Sequence, residues 1–475
     1  MEGFTIQDSD QRWDEKQTKR SKLVKKPNII ILFTDQQAYW TLSTYNQQSF
    51  LKTTHLDLIA KDGIAFNNYF VNCNPCTPSR GTFLTGLYPH SHGAFDNHIP
   101  IDQSKTTFAH VLSNAGYNTI FIGKYHLDGN RRPGWVHESR GMGFKNNLLM
   151  FNRGHFKSIT DITSKKNNFT ANDQPIMSEA IGDETSYTTD WLTSKAINYI
   201  EEQNSKPFCL MISYPDPHPP YQNREPYKSI YDMNSMTIPD SFEDHSRDFF
   251  KPRNERLNHQ RLKMRKSQYC GMIKNIDDNV GKIVNKLKKL KLYDDTLIVF
   301  SSDHGEYMGE HGQMGKAMMH EPPYKVPMVI KPSKNVKINI PNDFLWSSID
   351  FAPTLLSLLN IETTTRFEGR DCSFIIGSNK QDKIISDNIY LVEPINTPSE
   401  SGIVGVVTRM YWYGIRHDGS EVLYSRDNDK NQINNLSEDP KYLNIKSNLF
   451  ETLANKHLDL KTPQSKWLEH LRSKL

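Results

Sequence analysis

A recurring pattern most constrains how this chain can fold: an apolar, β-branched run that ends abruptly in polar side chains. It occurs four times, and the runs end in Asp35-Gln36-Gln37, Lys124-Tyr125-His126, Asp216-Pro217-His218 and Asp303-His304-Gly305. Such runs are typical of strands that are buried on both faces of a parallel sheet. Stretches with helical spacing lie between them, over 107–116, 188–202 and 268–290. Strands that alternate with helices predict an α/β fold with a large, mostly parallel sheet flanked by helices.

The four polar endings predict one shared site, because ligands bind beyond the carboxyl ends of the strands in open parallel sheets. A fifth apolar run, over 326–330, lacks such an ending. Two segments, 128–180 and 220–260, show no sustained periodicity and are rich in residues that favour turns. We interpret both as loops inserted at the binding edge, where long loops usually carry substrate contacts.

The organisation of the chain changes near residue 380, where short strands and an Asp418-Gly419 hairpin signal begin. We therefore predict three parts: a polar tail over 1–26, a catalytic α/β domain over 27–375, and a C-terminal α+β subdomain over 376–475. The subdomain is expected to contain a small antiparallel sheet and helices.

Charge and hydropathy argue against two classes of partner. The net charge of +4 gives no indication of a nucleic-acid partner. No run approaches the roughly 18 apolar residues of a membrane span, and residues 1–26 hold no apolar signal segment. We therefore expect a cytoplasmic protein without a membrane span. The sequence carries no signal of oligomeric state.

The stretch from Cys76 to Gly81 combines a thiol, a proline, a hydroxyl and a guanidinium. Proline suits the first position of a helix, so Pro78 predicts a helix whose N-terminus lies near Cys76. The peptide dipoles there favour an anion, and Arg80 would lie one turn further on as a fork for oxyanions. These residues alone also fit a buried free cysteine beside an ordinary helix start. Cys73 and Cys76 form a C-x-x-C pair, but the chain has no second such pair to complete a zinc site.

Cys76-Thr77-Pro78-Ser79-Arg80, followed by Leu84-Thr85-Gly86, resembles the signature of the type I sulfatases of the alkaline phosphatase superfamily. The resemblance spans roughly residues 27–450 and extends to the C-terminal part of that family. It implies that a formylglycine-generating maturation enzyme converts Cys76 to formylglycine. It also implies that the hydrated aldehyde attacks a sulfate ester while bound to a divalent metal.

The metal-binding positions of the family match five residues of this sequence. The resemblance therefore implies that the metal is held by Asp35, Gln36, Cys76, Asp303 and His304. Many sulfatases carry Asp where this chain has Gln36, and Asn where it has His304. The combination found here is more similar to choline sulfatases and phosphonate monoester hydrolases. The wider family implies Ca²⁺, whereas the imidazole ligand makes Mn²⁺ or Mg²⁺ alternatives.

The resemblance further implies a ring of cationic and imidazole groups around the nucleophile. Arg80 would position the hydrate, and Lys124 and Lys316 would neutralise the sulfate oxygens as charge develops. His126 and His218 would exchange protons with the nucleophile and the leaving oxygen, in an order that the sequence leaves open. Other nearby side chains are interpreted as loop structure (His90, His92, His98, His311), a substrate contact (Asn97) and the pocket rim (His320, Glu321).

These features predict a sulfuric ester hydrolase that acts on a sulfate monoester. The sequence does not decide between aryl, choline-like and carbohydrate sulfates as the substrate. One alternative is a phosphonate monoester or phosphodiester hydrolase of the same superfamily. Another is an inactive binding module whose Cys76 remains a thiol.

Overall fold

The computed structural model describes residues 25–45, 50–129, 140–160, 181–202, 206–243, 257–316, 319–336, 338, 341–373, 388–394 and 402–474. The strands are β1 (Asn28–Asp35), β2 (Ile64–Ala65), β3 (Tyr69–Phe70), β4 (Asn118–Lys124), β5 (Asn146–Phe151), β6 (Phe208–Pro217), β7 (Thr296–Ser302), β8 (Met328–Lys331), β9 (Trp346–Ser347), β10 (Ile389–Pro394), β11 (Gly402–Val407), β12 (Tyr411–Arg416) and β13 (Glu421–Ser425). The α-helices are α1 (Thr54–Lys61), α2 (Cys76–Thr85), α3 (Pro89–His92), α4 (Phe108–Asn114), α5 (Thr188–Glu202), α6 (His259–Lys289), α7 (Glu321–Tyr324), α8 (Phe351–Leu358), α9 (Leu443–Asp459) and α10 (Ser465–Arg472).

A seven-stranded sheet in the order β2-β8-β7-β1-β6-β4-β5 forms the centre of the molecule. Strands β7, β1, β6, β4 and β5 run parallel to one another, which confirms the predicted, mostly parallel α/β sheet. The fifth apolar run forms β8, which pairs antiparallel with β7. Its carboxyl end therefore points to the opposite edge of the sheet, and this direction explains why the run lacks a polar ending.

Both faces of the sheet are covered, as the apolar runs predicted. All eight residues of β1 are buried, and its apolar side chains alternate between two hydrophobic cores. Ile29 and Ile31 pack with helices α2, α4 and α8, whereas Ile30 and Leu32 pack with α5 and α6. The long helix α6 begins nine residues before the predicted position, because the Asn258 side chain caps it by accepting the main-chain N–H of Arg261.

The segment 128–180 was interpreted as a loop throughout, and this was wrong for its centre. Residues 146–151 form β5, which extends the sheet beyond β4. Burial along β5 is irregular because it is an edge strand, so it lacks the long, continuous apolar run that identifies the central strands. Residues 130–139 and 161–180 of the segment lie outside the described residues.

The predicted C-terminal antiparallel sheet is present, in the order β10-β11-β12-β13. One face packs on α9 and α10 through residues such as Tyr413. The other face joins the core of the main sheet through Trp412, whose indole N–H donates to the carbonyl of Met319 at 2.8 Å. The domain boundary predicted at residue 375 lies outside the described residues and stays a prediction, as does most of the 1–26 tail.

Among the described residues, no helix combines the length and the hydropathy of a membrane span.

Candidate active site

The polar endings of β1, β4, β6 and β7 meet at one edge of the sheet, beside the N-terminus of α2. Asp35 closes β1 and Asp303 follows β7, its neighbour in the sheet. The Arg80 guanidinium joins them, since Nη2 donates to Asp35 Oδ2 and Nε donates to Asp303 Oδ2, each at 2.9 Å. Each carboxylate is therefore held in a fixed orientation by a buried ion pair.

Helix α2 begins at Cys76, two residues before the predicted start, so Pro78 is its third residue. Proline is tolerated there because the first N–H groups of a helix have no partner within the helix. The main-chain N–H of Thr77 instead donates to Asn97 Oδ1 at 2.9 Å. The Asn97 side chain, which we expected to contact substrate, thus helps to cap the nucleophile helix. All ten residues of α2 are buried, so its first turn is firmly placed.

Cys76 is buried and lies against two nitrogen atoms. Its Sγ is 3.2 Å from His304 Nε2 and 2.7 Å from Lys316 Nζ. Burial by itself raises the pKa of Cys76, but the facing Lys316 ammonium, together with Lys124 and His304, more than offsets this and lowers the pKa below the ordinary thiol value. The environment therefore favours an anionic group at this position.

Cys76, Asp35, Asp303 and His304 offer ligand atoms that all lie within 4.8 Å of one another. In the described part of the chain, the buried Oδ1 of Asp35 has no hydrogen-bond partner. Burial raises the pKa of Asp35, yet the positive charges of Lys124 and Arg80 hold it well below its usual range, so the carboxylate is ionised. Two carboxylates and an imidazole with an unsatisfied buried oxygen fit a divalent cation.

The tautomer of His304 also fits a ligand. Its Nδ1 lies 2.9 Å from the carbonyl oxygen of Gly305, which can only accept, so Nδ1 carries the proton. The lone pair of Nε2 is then directed at Cys76 and the aspartates, as in histidines that bind metals. Gln36 adjoins this group, since its main-chain N–H donates to Asp303 Oδ1 at 3.0 Å.

Cationic and imidazole side chains form the opposite wall. Lys124 is fully buried and its ammonium contacts Asp35 and His155. His126 is buried with a left-handed backbone (φ 55°), and His218 stacks on His155 with ring centroids 3.3 Å apart. Burial, together with the positive charge of Lys124, holds the pKa of all three histidines well below the ordinary value. They are therefore neutral near pH 7 and able to accept protons.

The predicted site residues are thus brought together, and a family comparison agrees with the arrangement. A family model of the sulfatases matches residues 27–361. This chain belongs to the sulfatase family. A second model, the C-terminal region of N-sulphoglucosamine sulphohydrolase, matches residues 309–459. Membership confirms the resemblance read from the Cys76 motif, and with it the predicted class of sulfuric ester hydrolase.

Known sulfatases and related hydrolases resemble the whole described fold. The ulvan-active sulfatase of Formosa agariphila is 28% identical over 451 residues, covering 92% of this chain and 82% of that protein. The crystal structure of YidJ from Bacteroides fragilis superposes with a TM-score of 0.76 at 23% identity, over 93% of this chain and 98% of that one. The phosphonate monoester hydrolase of Agrobacterium radiobacter gives 0.74 at 20% identity, over 91% and 96%. The two structures establish the fold.

Sequence reasoning missed three buried or partly buried groups of this sulfatase site. His155 and Lys157 follow β5, where the weak periodicity gave no reason to expect site residues. Lys157 is fully buried, contacts Asp216 Oδ1 at 2.5 Å and thereby fixes the chain just before His218. Glu306 is fully buried behind Gln36. The sequence shows that Glu306 lies three residues after Asp303, but it does not show which groups Glu306 contacts in the fold.

The remaining predicted residues have structural contacts. His92 packs against Gly81 and lies 3.2 Å from Thr82 Oγ1, so it supports the nucleophile helix. His311 stacks on His320, whose Nδ1 is 3.1 Å from the Tyr307 hydroxyl. The other side chains of this set form an exposed loop position (His98), a stack on Tyr88 (His90) and ion pairs with Lys325 and Arg426 (Glu321).

Proposed function

We propose that this sulfatase hydrolyses a sulfate monoester through formylglycine formed from Cys76, on one divalent cation. The observation that carries the proposal is the placement of Cys76 Sγ within 4.8 Å of ligand atoms of Asp35, Asp303 and His304, with Lys316 Nζ in contact. Cys76 is thus where a nucleophile, a cation and a positive charge for the sulfate can act on one ester.

The absent groups would supply the bond-making chemistry. The cation would polarise the sulfate ester and favour an anionic nucleophile. The hydrated aldehyde would offer one hydroxyl to attack sulfur and a second whose deprotonation releases sulfate, which a thiol cannot do. Asp35, Asp303, His304 and the amide oxygen of Gln36 would hold the cation.

Arg80 acts in this proposal mainly on the aspartates. Besides its two carboxylate contacts, its Nη1 donates to the Lys124 carbonyl and to Ser213 Oγ, each at 2.8 Å. The fork therefore keeps one oxygen of each aspartate turned to the cation site. These contacts take four of the five N–H groups of the guanidinium, so the expected role of positioning the hydrate would fall to the second N–H of Nη2 and stays a prediction.

Lys316, His155 and His218 are partly exposed, whereas Asp35, Cys76 and the groups around them are buried. The ester would therefore enter on the side of Lys316 and the stacked histidines. Lys316 would contact the sulfate oxygens. His218, which is neutral before the ester binds, would take up at Nε2 the proton that the attacking hydroxyl gives up and would pass it to the leaving oxygen. His126 Nδ1 is buried and, among the described residues, has no hydrogen-bond partner, so it would take the proton during release of sulfate.

A matched pair of substrates tests the proposal: 4-nitrophenyl sulfate and a bis(4-nitrophenyl) phosphodiester, assayed on protein matured with a formylglycine-generating enzyme. We expect the larger kcat/KM on the sulfate. Cys76→Ala should lower it on the order of 10⁴-fold or more, because a covalent nucleophile is lost. Cys73→Ala is the matched control and should leave it unchanged.

A phosphonate monoester or phosphodiester hydrolase is the second candidate. Gln36 and His304 favour it, since this ligand pair is the departure from the common sulfatase pattern. Charge does not separate the two candidates, because both substrate classes carry one negative charge. A much larger kcat/KM on the phosphodiester would reverse the assignment.

A further inference from the structure

We propose that Glu306 is a positioning residue that orients the side-chain amide of Gln36, so that its oxygen and not its nitrogen is presented to the cation. The inference rests on the metal-dependent function proposed above. It assigns a task to a buried carboxylate that makes no direct contact with the ester.

Glu306 is placed as an acceptor on both of its oxygens. It is fully buried. Oε1 accepts the main-chain N–H groups of Met308, at 2.9 Å, and of Gly315. Oε2 accepts from the Tyr221 hydroxyl at 3.3 Å and from Gln36 Nε2. Main-chain N–H groups can only donate, so the carboxylate is fixed with Oε2 toward the amide.

Gln36 has little freedom to respond except by turning its amide. Its backbone is left-handed (φ 64°), and the Tyr269 hydroxyl donates to its carbonyl at 2.7 Å. Its main-chain N–H is held by Asp303 and its side chain is buried, so the amide can only exchange its NH₂ and oxygen ends. A carboxylate at this position would offer two equivalent oxygens. An amide offers one oxygen and one nitrogen that repels a cation, so the choice between them must be imposed.

The same carboxylate also holds the loop that returns to the nucleophile. Gly315, whose N–H reaches Glu306, directly precedes Lys316. The Tyr307 N–H donates to the Gly315 carbonyl at 3.0 Å and closes the loop beside it. Glu306 therefore links the orientation of a proposed metal ligand to the position of the cationic group at Cys76.

The variant Glu306→Gln reverses the donor pattern without changing the shape of the side chain. Its amide oxygen would keep the two main-chain N–H groups, which places its NH₂ against Gln36. Gln36 would then turn its oxygen to residue 306 and its NH₂ to the cation. We expect Mn²⁺ and Ca²⁺ affinity, measured by titration calorimetry on metal-stripped protein without substrate, to fall by about 10- to 100-fold.

The double variant Gln36→Glu/Glu306→Gln swaps the two groups and restores the pairing. The carboxylate at position 36 would accept a hydrogen bond from the new NH₂ group and offer its second oxygen to the cation. The metal affinity should therefore return to within roughly threefold of the wild type. Tyr221→Phe is the matched control, because it removes a donor to Glu306 but leaves the amide orientation unchanged. It should bind metal as the wild type does.

The outcomes separate this inference from the function on which it rests. Unchanged metal affinity in Glu306→Gln would overturn the inference. It would also be overturned if the double variant bound metal as weakly as the single variant, since Glu306 would then act on folding alone. Wild-type protein that binds neither ion would instead overturn the proposed metal-dependent function.

Discussion

His218 is the side chain for which the geometry limits the chemistry most at the residue scale. Its Nδ1 lies 2.7 Å from the carbonyl of Pro219, so Nδ1–H donates there and only Nε2 can exchange a proton with substrate. Stacking on His155 and the Lys157–Asp216 pair hold the ring and the chain that carries it. A fixed ring with one available nitrogen suits a group that takes up a proton at that nitrogen and passes it to a leaving oxygen.

This role predicts that the effect of His218→Asn depends on the leaving group. An alkyl sulfate needs a proton on its departing oxygen, so its kcat/KM should fall by about 10²- to 10⁴-fold. A 4-nitrophenyl sulfate leaves as a stable anion and should be much less affected. His126→Asn is the comparison variant, and it should lower kcat/KM to a similar extent on both substrates. Equal losses on both substrates for His218→Asn would contradict the assignment.

Residues in motifs could be predicted from the sequence, whereas residues that act through others could not. Cys76, Asp35 and Asp303 stand in recognisable patterns, and the structure places their ligand atoms together. His155 follows an edge strand with irregular burial, and Glu306 acts through partners distant in the chain. Such contacts depend on tertiary packing, which local patterns do not encode.

At the scale of elements, the close pairing of β4 and β6 positions Lys124. Gly123 pairs with Ser213, has a left-handed backbone (φ 103°), and would place an added Cβ 2.0 Å from the Ser213 carbonyl oxygen. Neither strand can give way there without breaking the ladder. The glycine is thus required directly before the lysine that contacts Asp35.

Gly123→Ala should therefore lower the free energy of unfolding by more than about 3 kcal/mol, since it combines a backbone clash with left-handed strain. Gly116→Ala is the matched control: its φ is 91°, but no atom lies within 4 Å of the added Cβ. Gly116→Ala should lower the free energy of unfolding by only about 1–2 kcal/mol, from left-handed strain alone. Thermal unfolding of both variants measures the difference, and equal losses would show that the close approach carries no penalty.

Strong periodicity predicted elements better than their directions and ends. Helix α5 spans the predicted 188–202, and the small antiparallel sheet expected after residue 380 is present. The antiparallel direction of β8 was not predictable, because an apolar run reads the same in either direction. The start of α6 was missed since its first turn is polar and exposed, and a cap rather than an apolar stripe defines it.

At the scale of the whole molecule, the C-terminal sheet and the main sheet share one core, so stability is expected to involve both. Two buried histidines make that stability sensitive to acid. Burial lowers the pKa of His92, under the nucleophile helix, and of His457, in α9, to about 3 from the ordinary 6.5. Both are neutral in the folded protein, whereas the unfolded chain binds protons below about pH 6.5.

The free energy of unfolding should therefore be highest above pH 6.5 and fall as the pH drops toward 3. Each histidine should contribute about 2 kcal/mol of the loss at pH 5. His457→Gln, which is remote from Cys76 in the fold, should reduce the difference between urea midpoints at pH 7 and pH 5. If the two urea midpoints differed as much in this variant as in the wild type, the contribution of His457 to acid sensitivity would be contradicted.

The nucleophile itself is tested most directly by the mass of one tryptic peptide, residues 62–80, which contains both Cys73 and Cys76. We expect a mass change equal to loss of H₂S and gain of one oxygen, localised by fragmentation to residue 76, with Cys73 intact. Specific activity on an aryl sulfate should rise in proportion to the converted fraction. Full activity in a preparation whose residue 76 is entirely thiol would contradict catalysis by formylglycine.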